Sequence, residues 1–393
     1  MMMPGQASLS LSELPLDGLL VVAVEQAVSA PLATRQLAEL GARVIKVEPR
    51  DGGDFARRYD AAFGDVSSYF AWLSRGKESI CLDLADEGDR SDLGRLIARA
   101  DVFVHNLSPE TAKRHQLGAA QLSDANPRLV ACDIRGYAAS SADATRTAYD
   151  LLIQCESGLA SLTGTPDEPA RVGVSIADIA TGMYAFAGIL VALKKRDETG
   201  RGEALSVAMF DAMAEWLSQP AFYAWQTGRA PSRTGLHHAT IAPYGAFRAA
   251  DGTVAIGVQN ESQWRRFCAG VLGADDIADD PSFATNVARI AHRTELDELV
   301  QARLEALTVA DLCALLTAAD VPYALVRSVG DLKDALLADA EPRLTHVPGP
   351  SSAVWAIRPP VRFASFEARM GAVPAVGEHT ADIRAEFDLE RVP

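Results

Sequence analysis

A single long apolar stretch, residues 171–201, constrains the fold of this chain more than any other part of its sequence. Between positions 179 and 193 it contains neither a charged residue nor a proline, and small side chains alternate with large ones. A helix that is apolar on all sides is a buried helix, so the stretch predicts a helix of the protein core. Three basic residues at 194–196 then follow where the helix dipole is negative, and Gly200 is expected to end the helix.

One acidic residue, Asp178, stands between the apolar lead-in and this predicted helix. An aspartate at the amino end of a helix commonly serves as an N-cap. A carboxylate at the positive end of the dipole, beside free backbone N–H groups, can also act as a nucleophile or as an acid or base. The spacing alone favours the cap, and the rest of the chain has to decide between the two interpretations.

The bulk composition excludes several classes of protein. A chain of 393 residues is long enough for a large core and two domains, and its formal charge of −15 disfavours nucleic acid or an anionic membrane as the main partner. The five cysteines and seven histidines are scattered, apart from the pair His237-His238, so we expect no metal site and no disulfide framework. Reduced cysteines and the lack of a signal-peptide pattern indicate a cytoplasmic location, and the apolar run at 183–193 is too short to span a membrane.

The first part of the chain alternates between strand and helix patterns. A buried strand at 19–24, a helix at 31–40 and a second strand at 42–48 form a unit with an expected right-handed crossover. The turn after the first strand lacks a glycine-rich dinucleotide fingerprint, which argues against NAD or FAD. The remaining patterns are a strand within 68–84, a helix at 86–99, a strand at 101–106, a short helix at 109–118, a strand at 129–134 and a helix at 149–162. This alternation predicts an α/β fold with an open parallel sheet.

Basic residues recur at the ends of these predicted strands or in the loops beside them. In an open parallel sheet the ligand crevice lies at the carboxyl ends of the strands, so cations that converge there would suit a phosphate-bearing cofactor. Separate surface charges are the alternative interpretation. The residues concerned are Arg50, Arg75, Lys77, Arg114 and Arg135.

The character of the chain changes near Arg229. An irregular stretch with two prolines leads to a predicted hairpin at 244–258, with Asp251-Gly252 as its turn. Short helices are predicted at 261–272, 293–306, 309–319 and 330–338. The pattern indicates a separate small α+β domain.

Several segments taken together resemble the family III CoA-transferases, a group that includes formyl-CoA transferase and carnitine CoA-transferase and shares its fold with the α-methylacyl-CoA racemases. The match covers nearly the whole chain, and its motifs occur in the family's order. The segments are APLATRQLAELGARVIKVEPRDGGD, SRGKESICLDL, ADVFVHNLSPETAKRHQLG, NPRLVACDIRGY, YDLLIQCESGLASLTG, GVSIADIATGMYAFAGILVAL, TGRGEALSVAMFD and GEHTADI.

The resemblance implies an α/β fold with a large Rossmann-like domain and a small α+β domain, in a homodimer of two interlocked, ring-like chains. We expect the large CoA-binding domain at 1–225, the small domain with its linkers at 226–335, and a segment at 336–393 that returns to the large domain.

The resemblance also implies a catalytic role for Asp178, which stands in GVSIADIATG, a match to the family motif G-x-x-x-x-D-x-x-x-G. In the family this carboxylate attacks the thioester carbonyl, which gives a mixed anhydride and free CoA thiolate. An aspartyl-CoA thioester is a further intermediate after the acceptor acid enters. Such nucleophilic catalysis divides one difficult acyl transfer into easier steps, and nearby N–H groups could stabilise each oxyanion.

Coenzyme A, as the acyl-CoA co-substrate, is the cofactor that the resemblance implies, with no metal. A basic residue that the family often carries after the second strand falls on Pro49, so that Arg50 stands next to it. The positions that match the family's CoA contacts are Ala27, Val28, Lys77, Asn106, Leu107, Arg114, Arg135 and Tyr137.

One position tests the racemase alternative. The racemases need a second proton carrier, a histidine in the motif G-H-D, and here Tyr149 stands in its place before Asp150. Tyrosine has an ordinary pKa near 10 and is a poor base at neutral pH, so we favour a transferase.

The substrate is expected to be a small dicarboxylic acid of the mesaconyl-, itaconyl- or succinyl-CoA type, because HHATIAPYGAF and VQNESQWRRFC look similar to that branch. Arg233, His237 and His238 could meet the second carboxylate, or they could only shape the loop of the small domain. Tyr149 is a further substrate candidate. A non-catalytic CoA-binding protein, in which Asp178 only caps its helix, is the third hypothesis.

Overall fold

The structure is a computed structural model that describes residues 14–389. Its strands are β1 (Leu20–Val24), β2 (Arg43–Glu48), β3 (Lys77–Cys81), β4 (Val102–His105), β5 (Val130–Arg135), β6 (Ala204–Ala208), β7 (Tyr244–Ala249), β8 (Gly252–Gly257), β9 (Tyr323–Leu325), β10 (Leu344–Val347) and β11 (Val354–Ile357). Its α-helices are α1 (Ser29–Glu39), α2 (Ser68–Ser74), α3 (Glu87–Arg99), α4 (Pro109–Arg114), α5 (Ala119–Ala125), α6 (Asp150–Glu156), α7 (Leu159–Leu162), α8 (Ile176–Thr199), α9 (Met209–Trp216), α10 (Ser218–Thr227), α11 (Glu261–Phe267), α12 (Asn286–Ala291), α13 (Arg293–Leu304), α14 (Val309–Ala318), α15 (Leu332–Leu337) and α16 (Thr380–Glu386). Short 3-10 or π turns lie at Phe55–Arg58, Cys268–Leu272 and Asp275–Asp279.

The chain divides into two compact units. Of the described residues, the first unit contains 14–157, 172–217 and 336–389, and the second contains 158–171 and 218–335. Helix α10 therefore lies in the second unit, although the expected boundary at 225/226 would divide it. Residues 158–171, which were expected in the large domain, also lie in the second unit.

A six-stranded, fully parallel sheet forms the centre of the first unit, in the order β3-β2-β1-β4-β5-β6. Val21 of β1 lies between Val44 and Val102 of its two neighbours. This order is that of a Rossmann-like sheet, which confirms the predicted α/β class. The strand order reverses between β1 and β4, and in such sheets ligands bind at the carboxyl ends of the strands at this point.

Helices cover both faces of this sheet, so its strands read as nearly continuous apolar runs. On one face, Val21, Val44 and Val104 pack with apolar side chains of α1 and α8. On the other, Val22 and Ile45 pack with residues of α3 and with the C-terminal helix α16.

The C-terminal segment is tied to the first unit by ion pairs as well as by apolar contacts. Arg384 of α16 lies 2.7 Å from a carboxylate oxygen of Asp89 and 2.5 Å from one of Asp92. Arg43 at the start of β2 pairs with Glu386. These contacts hold α16 beside β3 and α3.

Helix α8 is buried along one face only, and the prediction of a helix buried on all sides is wrong. Val191 is 69% exposed, Met183 45% and Tyr184 39%. The apolar composition of α8 shows that the surface of this helix is apolar. It does not show that other parts of the same chain cover that surface. The buried side chains of α8 are Ala177, Ala180, Thr181, Gly182, Ala185, Ile189, Ala192, Leu193 and Arg196.

By length and composition α8 could also cross a membrane. A core helix meets the same two criteria, and the buried face of α8 packs on α1 and on strands of the sheet.

Two smaller predictions also differ from the structure. The helix expected at 149–162 is broken by Gly158, whose φ of +92° falls in the region that suits glycine. In the hairpin of β7 and β8, Ala249 pairs with Gly252, so Ala250 and Asp251 form the turn instead of Asp251 and Gly252.

The second unit has its own core. Strands β7, β8 and β9 form an antiparallel sheet, and apolar residues of α11, α13 and α14 pack against it. Trp264, Leu296 and Leu312 are fully buried there. This is the small α+β unit that the hairpin and helix patterns predict.

Candidate active site

Asp178 lies in the first turn of α8, as its third residue. Ser175 is the N-cap residue of this helix, and its side chain makes no capping hydrogen bond. The simple interpretation of Asp178 as the N-cap is therefore wrong, although the prediction that it stands at the amino end of the helix is right. Its side chain is partly exposed.

A different aspartate satisfies the amino end of α8. The Asp150 carboxylate accepts a 2.9 Å hydrogen bond from the backbone N–H of Ala177 and a 2.7 Å bond from the Gln154 side chain. Gln154 in turn accepts a 2.8 Å bond from the N–H of Val172. Asp150 thus supplies from α6 the acceptor that a capping side chain would normally supply, and it leaves the Asp178 carboxylate free of that task.

The surroundings of Asp178 favour its neutral form. Burial, followed by the negative charge of Asp150, raises the pKa of Asp178 to about 7, while the nearby polar groups of Ser29 act in the opposite direction. A carboxylate with such a pKa is more basic than an ordinary aspartate, and about half of the molecules carry the charge at neutral pH. Raised carboxyl pKa values of this kind cluster at functional sites.

Aromatic side chains lie close to this carboxylate. Ile179, the residue after Asp178, packs in an apolar cluster with Tyr69 and Trp72. Tyr59 stacks edge-on against Tyr69 at 5.3 Å between ring centroids. Burial and several negative groups, Asp178 among them, raise the pKa of Tyr59 to about 12, so Tyr59 keeps its proton at neutral pH.

The turn between β1 and α1 holds a strained conformation beside this site. Ala27 has a φ of +60°, which alanine rarely adopts. Its N–H donates to Asp54, and Asn106 both accepts from the N–H of Gln26 and donates to its carbonyl, at 2.9 and 2.7 Å. Val28 is the N-cap of α1 and is buried. The structure thus brings together four of the predicted CoA contacts at the β1–β4 crevice: Ala27, Val28, Asn106 and Leu107.

Leu107 is fixed by a residue that the sequence did not single out. Its N–H donates to Nδ1 of the buried His105, and Nε2 of His105 lies 2.8 Å from Asp133. Burial alone would raise the pKa of Asp133, but His105 and Arg135 hold it below its ordinary value. Arg135 lies 2.9 Å from Asp133, so this predicted CoA contact is occupied by an ion pair.

Lys77 is buried in an ion pair, whereas a contact with a phosphate group requires an exposed ammonium group. Its ammonium group is buried and donates to Glu25 at 2.5 Å and to the carbonyl of Pro31 at 2.9 Å. Burial lowers the pKa of Lys77 to about 8, although Glu25 opposes that shift. Next to it, the buried Lys46 lies 2.9 Å from Asp54. The geometry does not support a direct contact between Lys77 and CoA.

Arg75 likewise has no free guanidinium group for a phosphate. It is 2% exposed, it pairs with Glu39, and it donates to the carbonyls of Trp72 and Ile357. Its prediction as a cofactor contact does not fit this geometry. Arg50 remains half exposed and pairs with the buried Asp89 at 2.8 Å.

The other two predicted positions differ in exposure. Arg114, in the last turn of α4, is largely exposed and pairs with Glu110 of the same helix at 2.9 Å. Tyr137 is buried, with the Arg146 guanidinium 5.3 Å from its ring centroid.

A cavity of about 280 Å³ opens at the carboxyl ends of β1, β2 and β3. Its walls include Pro49, Phe55, Leu84 and Leu107, which give it an apolar surface. Arg50 follows Pro49 directly in the chain. The acidic residues Glu25, Glu48, Asp54 and Asp83 also line the cavity, so its walls are only partly apolar.

The predicted substrate residues of the second unit are engaged in structural contacts. The Arg233 guanidinium donates to the carbonyls of Thr165 and Pro166 at 2.8 and 2.9 Å. His237 packs against Gly245, where a Cβ would lie 2.4 Å from its ring, and His238 stacks on Tyr244. Tyr149, in contrast, is 64% exposed in the first unit, at the N-cap of α6.

Among residues 14–389, no group of three or more His, Cys, Asp or Glu side chains is arranged to hold a metal ion.

Comparison with known proteins decides the family. The sequence model of CoA-transferase family III matches residues 16–380. The chain belongs to CoA-transferase family III. Acetyl-CoA:oxalate CoA-transferase of Acetobacter aceti is 36% identical over 379 residues, which are 95% of this chain and 96% of the relative. Succinate–glutarate CoA-transferase of Agrobacterium fabrum is 32% identical over 96% of this chain and 97% of its own length.

Solved structures that match this chain have the same fold. A CaiB/BaiF family protein from Brucella suis has a TM-score of 0.82 and 35% identity, over 96% of this chain and all of that one. A Mycobacterium tuberculosis protein solved in an orthorhombic form has a TM-score of 0.81 and 28% identity, over 94% and 98%.

As a family III CoA-transferase, the protein uses a CoA thioester as co-substrate. The cavity at the carboxyl ends of β1, β2 and β3 offers apolar wall residues, and the half-exposed Arg50 stands one position after the lining residue Pro49, so these residues suit the apolar and anionic parts of a CoA ester. The sequence missed Asp150, Ser29 and Tyr59 as site residues. Only Asp150 had a signal, its position after Tyr149 in the segment that matches the racemase motif.

Proposed function

We propose that this CoA-transferase moves CoA from an acyl-CoA donor to a small dicarboxylic acid, with Asp178 as the covalent nucleophile. The observation that carries the proposal is the carboxylate at the amino end of α8, partly exposed, unusually basic and free of the capping task. Helix N-termini favour negative charge, and the surrounding N–H groups can stabilise an oxyanion.

The reaction proceeds through bonds made and broken at Asp178. The ionised carboxylate attacks the thioester carbonyl, the C–S bond breaks, and the thiolate leaves with its electron pair, so that a mixed anhydride forms. The thiolate then attacks the aspartyl carbonyl, which releases the donor acid and leaves an aspartyl-CoA thioester. The acceptor carboxylate attacks that thioester to form a second anhydride, and the returning thiolate attacks its acyl carbonyl. Asp178 is regenerated as a carboxylate, and no net proton is consumed.

The raised pKa of Asp178 suits its attack on the donor thioester. A more basic carboxylate is a better nucleophile once ionised, and below pH 7 a growing fraction is protonated and inactive. We therefore expect an acid limb in the pH profile with a midpoint near 7.

The CoA part of the donor would bind at the β1–β4 crevice. We propose three kinds of contact with CoA. They are backbone groups around Ala27 and Val28, the side chains of Asn106 and Leu107, and the guanidinium groups of Arg50 and Arg114. Arg50 and Arg114 each pair with one carboxylate at a partly exposed position, so a phosphate could compete for either guanidinium.

A dicarboxylic acceptor is supported by the names of the relatives. Relatives are named for oxalate, glutarate and mesaconate, all dicarboxylates. Within the first unit, Tyr149 is 64% exposed at the N-cap of α6, directly before Asp150, and we propose it as a contact for such an acid. Initial rates with a panel of CoA esters against these acids, compared with monocarboxylates of equal length, test this choice.

We also propose that the protein works as a homodimer in the cytoplasm. Apolar side chains on α8 and α9 are left uncovered, among them Val191, 69% exposed, and Trp216, 49% exposed. Exposed apolar side chains on two neighbouring helices are typical of an interface, and a second copy would cover them. A molar mass of one chain by light scattering at micromolar concentration would contradict the dimer.

Capture of the covalent intermediate tests the mechanism directly. The protein is mixed with an acyl-CoA alone, quenched in acid, digested and examined by mass spectrometry. We expect CoA attached to the peptide that contains Asp178, and its loss on treatment with hydroxylamine. A peptide that stays unmodified while CoA transfer proceeds would exclude the aspartyl route. In deuterated water without acceptor acid, exchange at the α-carbon of the donor would indicate the racemase reaction instead.

A further inference from the structure

The turn between β1 and α1 keeps Ala27 in a left-handed backbone conformation, with a φ of +60°. Alanine rarely adopts this conformation, and such residues persist only where their surroundings enforce it. Ala27 and Ile179, the residue after Asp178, pack against the same small group of buried apolar side chains, which contains Val28, Leu32 and Leu73. The strained turn and the start of α8 therefore share one apolar support.

Asp54 reaches this turn from the loop after β2. Its Oδ1 atom accepts a hydrogen bond from the N–H of Ala27 at 3.3 Å and another from the N–H of Ala56 at 2.9 Å. Its Oδ2 atom accepts from the ammonium group of Lys46 at 2.9 Å. Asp54 is 3% exposed, so these bonds form away from water. One buried carboxylate thus joins the strained turn to β2.

The glycine-rich loop that carries Asp54 fixes its position. The backbone N–H of Asp54 donates to Oε2 of Glu48 at 2.8 Å, and the Arg57 guanidinium donates to the same carboxylate at 2.8 and 2.6 Å. A Cβ on Gly53 would lie 2.6 Å from Oε2 of Glu48, and the φ of Gly53 is +68°. Glycine is the residue that permits both this close approach and this backbone conformation. The loop therefore presents Asp54 as a fixed acceptor to the turn.

We propose that Asp54 is a positioning residue for CoA binding, which holds Ala27 in its left-handed conformation and thereby presets the turn that receives the CoA ester. This inference rests on the proposed function, which places CoA at the β1–β4 crevice. A turn that already has its binding conformation loses less conformational freedom when the ligand binds, and this favours affinity.

The charge of Asp54 and its hydrogen bond to Ala27 should have opposite effects on CoA binding. Asp54 lines the cavity at the carboxyl ends of β1, β2 and β3. Its negative charge repels the phosphates of a CoA ester, so removal of the charge alone should lower KM for that ester. Removal of the hydrogen bond to Ala27 should raise KM, because the turn then loses its preset conformation. The sign of the change in KM therefore separates the two effects.

Two substitutions of Asp54 differ in the acceptor that they leave for Ala27. Asp54→Asn loses the charge opposite Lys46 but keeps an oxygen for the N–H groups of Ala27 and Ala56. Asp54→Ser loses the same charge and is shorter, so it can still cap the 3-10 turn at Phe55–Arg58 but no longer reaches Ala27. Both variants remove the partner of Lys46, so urea denaturation should show similar losses of stability.

Initial rates with a CoA ester and a dicarboxylate measure the effect on binding. KM for the ester should stay at or below the unaltered value in Asp54→Asn. In Asp54→Ser it should rise about threefold to tenfold, as expected for the loss of one hydrogen bond, with kcat little changed. An equal rise in both variants would overturn the inference, because the two share their loss of charge and of stability.

Ala27→Gly tests whether Asp54 acts through the backbone conformation of this residue. Glycine adopts a positive φ without steric cost, so the turn depends less on Asp54 in this background. Asp54→Ser should then raise KM by less than about twofold relative to Ala27→Gly alone. An undiminished rise in the double variant would contradict an action through Ala27.

Hydrogen exchange measures the hold on Ala27 without any ligand. The full-length protein is labelled with ¹⁵N-alanine, and the Ala27 signal is assigned by its absence in Ala27→Gly. The N–H of Ala27 should exchange at least about threefold faster in Asp54→Ser than in Asp54→Asn. Equal exchange rates would overturn the hold itself. If exchange responds as expected but KM does not change in Asp54→Ser, CoA does not bind at this turn, and the proposed location of CoA fails together with the positioning role.

Discussion

Two groups of buried or half-buried acidic side chains in the first unit have opposite electrostatic surroundings. In the first, which we term the paired cluster, each carboxylate lies against an ammonium group; its members are Glu25, Lys46, Asp54 and Lys77. In the second, the aspartate pair of Asp150 and Asp178, the carboxylates act on each other, and their hydrogen-bond donors are neutral.

The difference shows in the direction of the pKa shifts. Burial would raise the pKa of Glu25, but Lys77 and Lys46 hold it below the ordinary value. Burial also raises the pKa of Asp178, and the negative charge of Asp150 raises it further. Buried charges with opposite partners make a rigid support, whereas a buried charge beside a like charge stays reactive.

The largest effect is expected from removing the reactive member of the aspartate pair. Asp178→Asn keeps the shape of the side chain but cannot form an anhydride, so the rate of CoA transfer should fall at least about a thousandfold. Initial rates with a CoA ester and a dicarboxylate measure this. Asp197→Asn, on the exposed end of the same helix, should transfer CoA at the unaltered rate. Activity retained in Asp178→Asn would remove the distinction between the two groups.

A substitution in the paired cluster should lower the free energy of unfolding. Lys46→Met leaves Glu25 and Asp54 buried without their shared cation, which should cost about 3–5 kcal/mol of unfolding free energy. Urea denaturation followed by circular dichroism measures it. Lys194→Met, at an exposed lysine paired with Glu198, should leave the midpoint unchanged. A small effect at Lys46 would mean that the cluster is not a support.

Removing a charge from the aspartate pair should stabilise the fold, whereas removing one from the paired cluster should destabilise it. The folded-state pKa of Asp178, about 7, lies above that of an unfolded aspartate, so its ionisation destabilises the fold above the unfolded value. Asp178→Asn should therefore stabilise the protein at pH 8 by roughly 2–4 kcal/mol, and the gain should vanish as the pH falls below about 4. Denaturation at both pH values measures this. Equal stabilisation at both would contradict the raised pKa.

These contrasts also show what the sequence could predict. The parallel sheet was predictable because most of its strands are short apolar runs that alternate with helix patterns. The place of Asp178 at the amino end of α8 was predictable because a long apolar run follows it, whereas its catalytic role was an expectation from the family resemblance. Lys77 and Arg75 could not be assigned from the sequence. They stand near a strand, but at its amino end, and the Lys77 side chain runs beneath α1 to Glu25. Nearness to a strand does not tell which edge of the sheet a residue faces, nor whether a carboxylate already occupies it.

Asp150 illustrates a second limit. The Asp150 carboxylate accepts a hydrogen bond from the N–H of Ala177, a residue 27 positions later in the chain. No local sequence pattern predicts such a contact. Likewise, the apolar composition of α8 predicted a buried helix, but composition cannot distinguish a face covered by this chain from one left open.

A smaller effect is expected from removing the negative charge of Asp150, which helps to raise the pKa of Asp178 above that of an ordinary aspartate. Asp150→Asn retains an oxygen for the Ala177 N–H but carries no charge, so the pKa of Asp178 should fall by about one unit. The acid limb of the pH–rate profile should then move to lower pH. Gln154→Glu is the converse change and should move it upward, because it adds a negative charge next to Asp150. A limb that moves in the same direction in both variants would show that Asp150 does not act through its charge.

The smallest effect is expected outside both groups, at an exposed cation. Arg114 pairs only with Glu110 at the surface, so its loss should leave stability unchanged. If its guanidinium contacts a phosphate of the CoA ester, Arg114→Gln should raise KM for that ester by about threefold to tenfold at low ionic strength and leave kcat intact. The difference should shrink as salt is added, because exposed charges are screened. Lys194→Gln changes the net charge equally at another surface position and should leave KM as it was, so that a matching rise in both variants would trace the effect to overall charge instead of a phosphate contact.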